Sequence, residues 1–189
     1  GSAAIGGTID LVTSTHSLSP RLTVSSGLGS YNTQRHSIEA VSGLISDRFS
    51  ISARISRLTS DGYRDQSWVK LNSFFLAGAY FGPTHTLRLN IQGGPLTDHL
   101  AYYGVPKSYI GASEEVRRAN DILFRPDETE KFHQPQIQLL HSWQMSPKVQ
   151  MSNTLFYIRG NGYFDFSGDW WADYRYLRLD DIAEVGTQL

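Results

Sequence analysis

The side chains that could carry catalytic or metal chemistry are scattered along the chain. The six histidines, at positions 16, 36, 85, 99, 133 and 141, form no His-Glu-x-x-His pair of the kind that holds a catalytic zinc ion. There is no Gly-x-Ser-x-Gly nucleophile elbow, and no cysteine to supply a thiolate ligand, a nucleophile or a disulfide. We therefore predict no catalytic residue, no metal site and no cofactor, and we expect that the protein is not an enzyme.

Aromatic residues in two long connections are better candidates for ligand contact. Tyr102 and Tyr103 follow the fifth strand-like segment, and Tyr163, Phe164, Trp170 and Trp171 follow the seventh. Large rigid rings with a polar atom are typical of binding surfaces. Belts of aromatic residues also occur where membrane strands leave the bilayer, which is an equally good explanation of their chemistry. The residues that we predict to contact a ligand are Tyr102, Tyr103, Tyr163, Trp170 and Trp171.

The elements that must position these rings are β-strands. Apolar and polar residues alternate in segments 21–29, 48–57 and 85–92, and less regularly in 34–42. Segment 68–81 is longer and more apolar, with Val69, Leu71, Phe75, Ala77, Ala79 and Phe81 on one side. Two further segments, 134–143 and 149–159, complete about seven strands. Only Ser113–Ala119 has helical character, with Ser113 as a cap.

Strand and loop lengths favour a membrane barrel over a soluble fold. Each segment approaches the roughly nine to eleven residues of a tilted membrane strand, whereas soluble strands are nearer five or six. Connections are short at 44–47, 82–84 and 146–148, and generally longer at the other ends, the longest running from Gly93 to about Phe132. Outer-membrane barrels segregate short turns and long loops in this way. The net charge of −1 gives no sign of a nucleic-acid partner.

The order of motifs resembles a known family. "GSAAIGGTIDLVT" (Gly1–Thr13) resembles the end of the plug domain of TonB-dependent outer-membrane receptors, where a small-residue turn and a Gly-Gly pair lead into a strand. Asp10 stands where that family more often has Asn. The stretches "LNSFFLAGAYFG", "AYYGVP" and "HSWQMSPKVQMSNTLFYIRGNGYFD" are similar to Bacteroidota-type members. The resemblance covers essentially the whole chain.

The resemblance implies a fold and an organisation. The expected fold is all-β, a partial transmembrane antiparallel β-barrel preceded by the C-terminal end of a plug domain. Residues 1–15 would be the plug end and residues 16–189 the N-terminal part of the barrel, with about seven or eight of about twenty-two strands. An eighth strand would begin near Tyr174–Leu179. An incomplete barrel cannot close, so we expect that this segment alone is not a native transporter.

The resemblance also implies a function. The chain would belong to a receptor in the outer membrane of a Gram-negative bacterium, in contact with its lipid. It would take up a siderophore, cobalamin or a glycan, most simply an iron–siderophore complex, with energy from the TonB complex acting through the missing part of the plug. Two alternatives stay open: a soluble β-sandwich that binds glycans or acts as an adhesin, and a barrel hydrolase, for which no Ser-His set is visible.

Overall fold

The structure, a computed structural model, describes residues 17–119 and 125–165, and in these ranges nearly every element is a strand. The strands are β1 (Arg21–Gly29), β2 (Thr33–Val41), β3 (Phe49–Ser60), β4 (Val69–Phe81), β5 (His85–Gly93), β6 (Leu96–Asp98), β7 (Glu130–His133), β8 (Gln136–Ser146), β9 (Val149–Ile158) and β10 (Asn161–Phe164). The helices are a 3-10 turn (Lys107–Tyr109) and α1 (Glu114–Ala119). None of the helices in the described ranges is long and apolar enough to cross a membrane.

The strands form one antiparallel sheet in which each pass of the chain lies beside the next. The order is β1-β2-β3-β4-β5-β8-β9, while β6 pairs with β4 and β7, and β7 pairs with β10. We call one crossing of the sheet by the chain a pass. Three passes consist of two strands each: β5 and β6, β7 and β8, and β9 and β10. In each of them the pairing register continues unchanged across the gap between the two strands. The described chain therefore makes seven passes, the number predicted from alternation. The sheet is open at β1 and at β9–β10.

The interruptions in the last three passes lie side by side. They fall at 94–95, 134–135 and 159–160, and two of them contain proline, which has no N–H to donate to a neighbouring strand. Gly94 is required in the first, because an added Cβ would collide with the carbonyl oxygen of Asn72 and lie 2.9 Å from Cα of Ser73. The backbone there still pairs, since Asn72 N–H donates to the carbonyl of Pro95 at 3.1 Å.

Each face of the sheet has its own chemistry. The apolar face, which we define as the face that carries Leu76, includes the register rows Ile38–Ile55–Phe74 and Ala53–Leu76–Ile91–Ile137. The polar face, which carries Ser52, includes the row Glu39–Arg54–Phe75–Gln92–Gln136. The alternation predicted for β1, β2, β3 and β5 is confirmed by this pairing.

In the middle of the sheet the polar face is buried and the apolar face is exposed. On the polar face, Ser50 and Ser52 are 0% and 3% exposed and Ala77 is 1% exposed. On the apolar face, Ile51, Ile55 and Leu76 are 52%, 61% and 44% exposed. In the described part of the chain, elements make substantial contact only with their neighbours in the sheet, and no second layer covers the apolar side chains.

The two faces of β4 are assigned by its pairing register with β3. The side predicted from its sequence, with Phe75, Ala77 and Ala79, lies on the polar face, because Ala77 pairs with Ser52 and Ala79 with Ser50. The exposed apolar side of this strand is instead the other one, with Phe74, Leu76, Gly78 and Tyr80.

Four of the connections differ from the sequence-based expectation. The first connection, Ser30–Asn32, is a tight turn with positive φ at Tyr31 and Asn32, whereas the second runs over 42–48 and has positive φ at Gly43, Ser46 and Asp47. The predicted long fifth connection contains β6, the 3-10 turn, α1 and β7, and the predicted seventh begins with β10. Helix α1 starts where predicted, with Val116 N–H donating to Oγ of Ser113 at 3.4 Å.

An all-β fold built on a large antiparallel sheet is therefore present, but the pairing does not close into a barrel. The predicted plug end at 1–15 and the predicted eighth strand near 174–179 lie outside the described residues.

Candidate functional site

One end of the sheet gathers aromatic rings from distant parts of the chain. Tyr102 lies edge-to-face against Tyr103, with ring centroids 5.3 Å apart, and stacks on Phe164 of β10 at 6.1 Å. A guanidinium N–H of Arg64 donates to the carbonyl oxygen of Tyr103. Tyr102, Tyr103 and Tyr163 are 54%, 56% and 52% exposed, so a ligand could reach all three rings. We call Tyr102, Tyr103 and Phe164 the rim cluster.

Arg118 of α1 holds a second group of rings at the same end. Its guanidinium carbon lies 6.0 Å from the ring centroids of both Tyr31 and Tyr63, which contact each other edge-to-face at 5.6 Å. The Asp65 N–H donates to the carbonyl of Arg118 at 3.1 Å, and the Arg118 Nε donates to Oδ1 of Asp65 at 3.4 Å. One arginine thus links the first, third and fifth connections.

Carboxylates lie next to the rim cluster. Asp98 of β6 is directly opposite Glu130 of β7, and Phe164 is the other register partner of Glu130. Burial raises the pKa of Asp98, the facing Glu130 raises it further, and the neighbouring His99 lowers it. Oδ1 of Asp98 is buried without a hydrogen-bond partner among the described residues. Like charges directly opposite each other destabilise a strand pair.

Two buried residues fix the chain that follows α1. His99 is 2% exposed, and its Nε2 lies 2.7 Å from the carbonyl oxygen of Arg125. Glu128 is also 2% exposed and accepts a hydrogen bond from the Arg125 N–H at 2.8 Å. The His99 N–H donates to the carbonyl of Trp68 at 3.0 Å. These bonds hold residues 125–128 against His99, whose backbone is bonded to Trp68, the residue before β4.

The polar face contains a cavity of about 620 Å³. Its lining is centred on the register row Glu39–Arg54–Phe75–Gln92–Gln136, in which Gln92 Nε2 donates to Oε1 of Gln136 at 3.1 Å. Val41, Ser52 and Ser73, from the rows on either side, also line it. Gly93 and Gln134, beside two of the strand interruptions, line its edge. A guanidinium, a carboxylate, several amides and one ring suit an oxygen-rich ligand, and the volume lies in the usual range for ligand sites.

The charges of this face are unevenly matched. Arg21 forms an ion pair with Glu39 at 2.8 Å. Arg35, Arg54 and Arg88 also lie on the polar face, and none of them pairs with a carboxylate of residues 17–119 or 125–165. The polar face therefore has an excess of guanidinium groups over carboxylates in its middle rows.

Two histidines meet on the apolar face. Nδ1 of His85 lies 3.0 Å from Nε2 of His141, and the two rings stack at 5.3 Å, with Trp143 on the other side of His85. Asn153 lies 3.4 Å from the other ring nitrogen of His141. Within the described ranges no group of three or more His, Cys, Asp or Glu side chains could hold a metal ion.

The predicted site residues have different outcomes. Tyr102 and Tyr103 are in contact in the rim cluster. Tyr163 is close in sequence to the cluster but lies on the opposite face from Phe164, where Lys131 is 5.8 Å from its ring centroid. Trp170 and Trp171 lie outside the described residues. Ligand contact by any of the five stays a prediction.

Sequence reasoning missed the polar residues that organise this end of the sheet. Arg64 occurs in a polar connection and Arg118 in the short segment of helical character, and their spacing gives no signal of the contacts that they make. The polar side chains of Arg54 and Gln92 are visible in the alternation, but Phe75 and Gln136 join them only through the register. Comparison with protein-family models, with curated proteins and with solved structures gave no match.

Proposed function

We propose that this chain is a segment of a TonB-dependent receptor in the outer membrane of a Gram-negative bacterium. The receptor would take up a large ligand such as an iron–siderophore complex. The observation that carries the proposal is the partition of the two faces. In the middle of β3 and β4 the side chains exposed on one face are apolar, and those buried on the other are the small residues Ser50, Ser52, Ala77 and Ala79. A sheet in lipid needs this arrangement, because its outer face meets hydrocarbon and its inner face meets water.

The length of the apolar band fits a bilayer. Along β4 the outward-facing apolar side chains run from Phe74 to Tyr80, and along β3 from Phe49 to Ile55. Six residue steps of about 3.3 Å span roughly 20 Å, close to the roughly 25 Å height of the apolar band of outer-membrane barrels. Consecutive antiparallel passes are also how such barrels are built. Closure would require further strands beyond those described.

A route for the ligand follows from the same arrangement. The rim cluster and the Arg118 group lie at the end with the long connections, which in this family of barrels faces the cell exterior. The cavity on the polar face lies further along the same strands, with Arg54, Gln92 and Gln136 available to bind oxygen atoms. The ligand would meet the rings first and the polar wall next. TonB would act through the plug, outside the described residues.

The soluble β-sandwich needs a second sheet over the apolar face. No such layer is present over the described part of the sheet. No observation favours a hydrolase.

A matched pair of lysine substitutions tests the membrane location. Leu76→Lys places a charge in the middle of the apolar face, and Asn90→Lys places the same charge on the polar face, where Asn90 pairs with Ala77, the residue next to Leu76. A lysine facing the lipid midplane costs about 2–4 kcal/mol, whereas a lumen lysine is tolerated. We expect Leu76→Lys to block folding into phosphatidylcholine vesicles and Asn90→Lys to fold nearly as the natural sequence does.

The experiment uses the product of the complete gene that contains residues 1–189, with folding followed by the mobility difference between unheated and heated samples on gels. Equal folding of both variants, together with a folded protein in water without detergent, would contradict a membrane location. Uptake is tested separately: deletion of the gene should abolish uptake of radiolabelled iron supplied as a siderophore complex. Unchanged uptake of a panel of iron complexes would require a different ligand class.

A further inference from the structure

The apolar face ends in a row of basic residues on the side of the long connections. Lys70 of β4 and Lys131 of β7 lie in one register row, with Thr97 between them and Tyr163 next to Lys131. Arg57 of β3 lies one row nearer the apolar band, opposite Asn72. All three basic side chains are exposed. We call Arg57, Lys70 and Lys131 the basic row.

No acidic strand residue of the described sheet shares the face of the basic row. The acidic strand residues of the described sheet are Glu39, Asp98 and Glu130, and all three belong to the polar face. No carboxylate of residues 17–119 or 125–165 forms an ion pair with Arg57, Lys70 or Lys131. The neighbours in the same rows are neutral polar groups or imidazoles, such as His36 opposite Arg57.

Aromatic rings accompany the two lysines. Nζ of Lys70 lies 4.9 Å from the ring centroid of Trp68, and Nζ of Lys131 lies 5.8 Å from that of Tyr163. Tyrosine and tryptophan next to basic residues, directly beyond an apolar band, match the interface of a lipid layer, where hydrocarbon gives way to headgroups. The other end of the apolar face carries Trp143, His85 and His141 but no strand lysine or arginine.

We infer that the basic row binds anionic, phosphate-bearing headgroups of the membrane lipid on the side of the long connections. The inference rests on the proposed membrane location and adds to it a lipid preference that the location alone does not require. Three side chains of one sign project from the third, fourth and sixth passes beside an apolar surface, so acyl chains and phosphates of one lipid layer could be bound together. Each basic residue near an anionic surface strengthens binding severalfold at physiological salt.

The natural sequence offers a control with an equal charge change. The test variant is Arg57→Gln/Lys70→Gln/Lys131→Gln, and the control is Arg35→Gln/Arg54→Gln/Arg88→Gln on the polar face. The complete gene product is purified in a neutral detergent, and bound phosphatidylglycerol and phosphatidylcholine are counted by native mass spectrometry. We expect the natural protein to prefer phosphatidylglycerol, the basic-row variant to lose that preference by tenfold or more, and the control to change it less than twofold.

The outcomes distinguish the inference about the basic row from the proposed membrane location. Equal loss in both variants would mean that net charge alone attracts the lipid, and would overturn the basic row as a site. Unchanged preference in the basic-row variant would also overturn it, while folding into neutral vesicles would leave the membrane location intact. Failure of the natural protein to associate with any lipid would overturn both. Competition by inorganic phosphate as strong as that by phosphatidylglycerol would show a free-anion site instead and overturn the lipid assignment.

Discussion

Tyr102 stacks on Phe164, with ring planes inclined by 28°, and so joins the middle of the fifth connection to the end of the seventh pass. The two residues are far apart in sequence, and no strand pairing links Tyr102 to β10. The stacking therefore sets the position of Tyr102 and, through it, of the adjoining Tyr103. The rim cluster is thus held by this ring pair and by the bond from Arg64 to the carbonyl of Tyr103.

Replacing Tyr102 by alanine should loosen the end of β10. An aromatic pair contributes about 0.5–1.5 kcal/mol beyond its buried area, so local opening should become roughly three- to tenfold more frequent. The hydrogen-exchange rate of the Asp165 N–H, which donates to the carbonyl of Thr129 at 2.9 Å, reports this opening. Tyr109→Ala is the control, since that ring is exposed and stacks on no described ring. Equal exchange in both variants would contradict the role given to the stack.

Arg118 should be sensitive even to a lysine replacement. Lysine keeps the charge but lacks the planar group that lies 6.0 Å from the ring centroids of both Tyr31 and Tyr63. We expect Arg118→Lys to lose about 0.5–1 kcal/mol of local stability and Arg118→Ala somewhat more. Limited proteolysis of segment 61–68 measures the effect, with faster cleavage expected in both variants. If Arg118→Lys is cleaved at the natural rate, charge alone holds the loops together.

The Asp98–Glu130 pair predicts a pH dependence with a definite sign. Because the pKa of Asp98 is raised above its ordinary value of 3.8, the folded state keeps a proton that the unfolded chain has released. Stability should therefore fall as pH rises from 3.8 through the raised value, and the loss should be complete above it. Asp98→Asn should remove this slope and be more stable than the natural protein at neutral pH. Equilibrium denaturation at a series of pH values measures both effects.

Asp127 provides a control, because its pKa is shifted in the opposite direction to that of Asp98. Hydrogen bonds from the Arg125 guanidinium lower the pKa of Asp127, so its stabilising contribution is present above 3.8 and is lost as pH falls through the lowered value. Asp127→Asn should remove only the loss of stability that occurs as pH falls through the lowered pKa of Asp127. An Asp98→Asn profile parallel to that of the natural protein would show that Asp98 does not carry the slope.

Two glycines should respond to alanine in opposite ways. Gly94→Ala forces a Cβ against the backbone of Asn72 and Ser73, which should destabilise the protein by about 1–3 kcal/mol. Gly78→Ala meets no atom within 4 Å and should be neutral or stabilise by about 0.5 kcal/mol, because glycine inside a strand is entropically unfavourable. Equilibrium unfolding of both variants makes the comparison. A harmless Gly94→Ala would mean that the interruption at 94–95 can shift its backbone.

The sequence by itself determined the strands whose two faces differ in polarity. β1 was predicted at its observed bounds and β2, β3 and β5 nearly so, because alternation is a local property that any strand with one wet and one apolar face must show. The same local signals gave the short helix after Ser113 and the tight turn at 82–84.

The tertiary structure decided the rest, because those features depend on partners far along the chain. β4 is apolar on both sides, so only its register with Ser50 and Ser52 shows that Phe75 and Ala77 face the polar side. β6, β7 and β10 are too short to show a period, and they exist because each continues the pairing of a longer neighbour across an interruption. The rim cluster, the Arg118 group and the basic row likewise arise from side chains that only the fold brings to one end of the sheet.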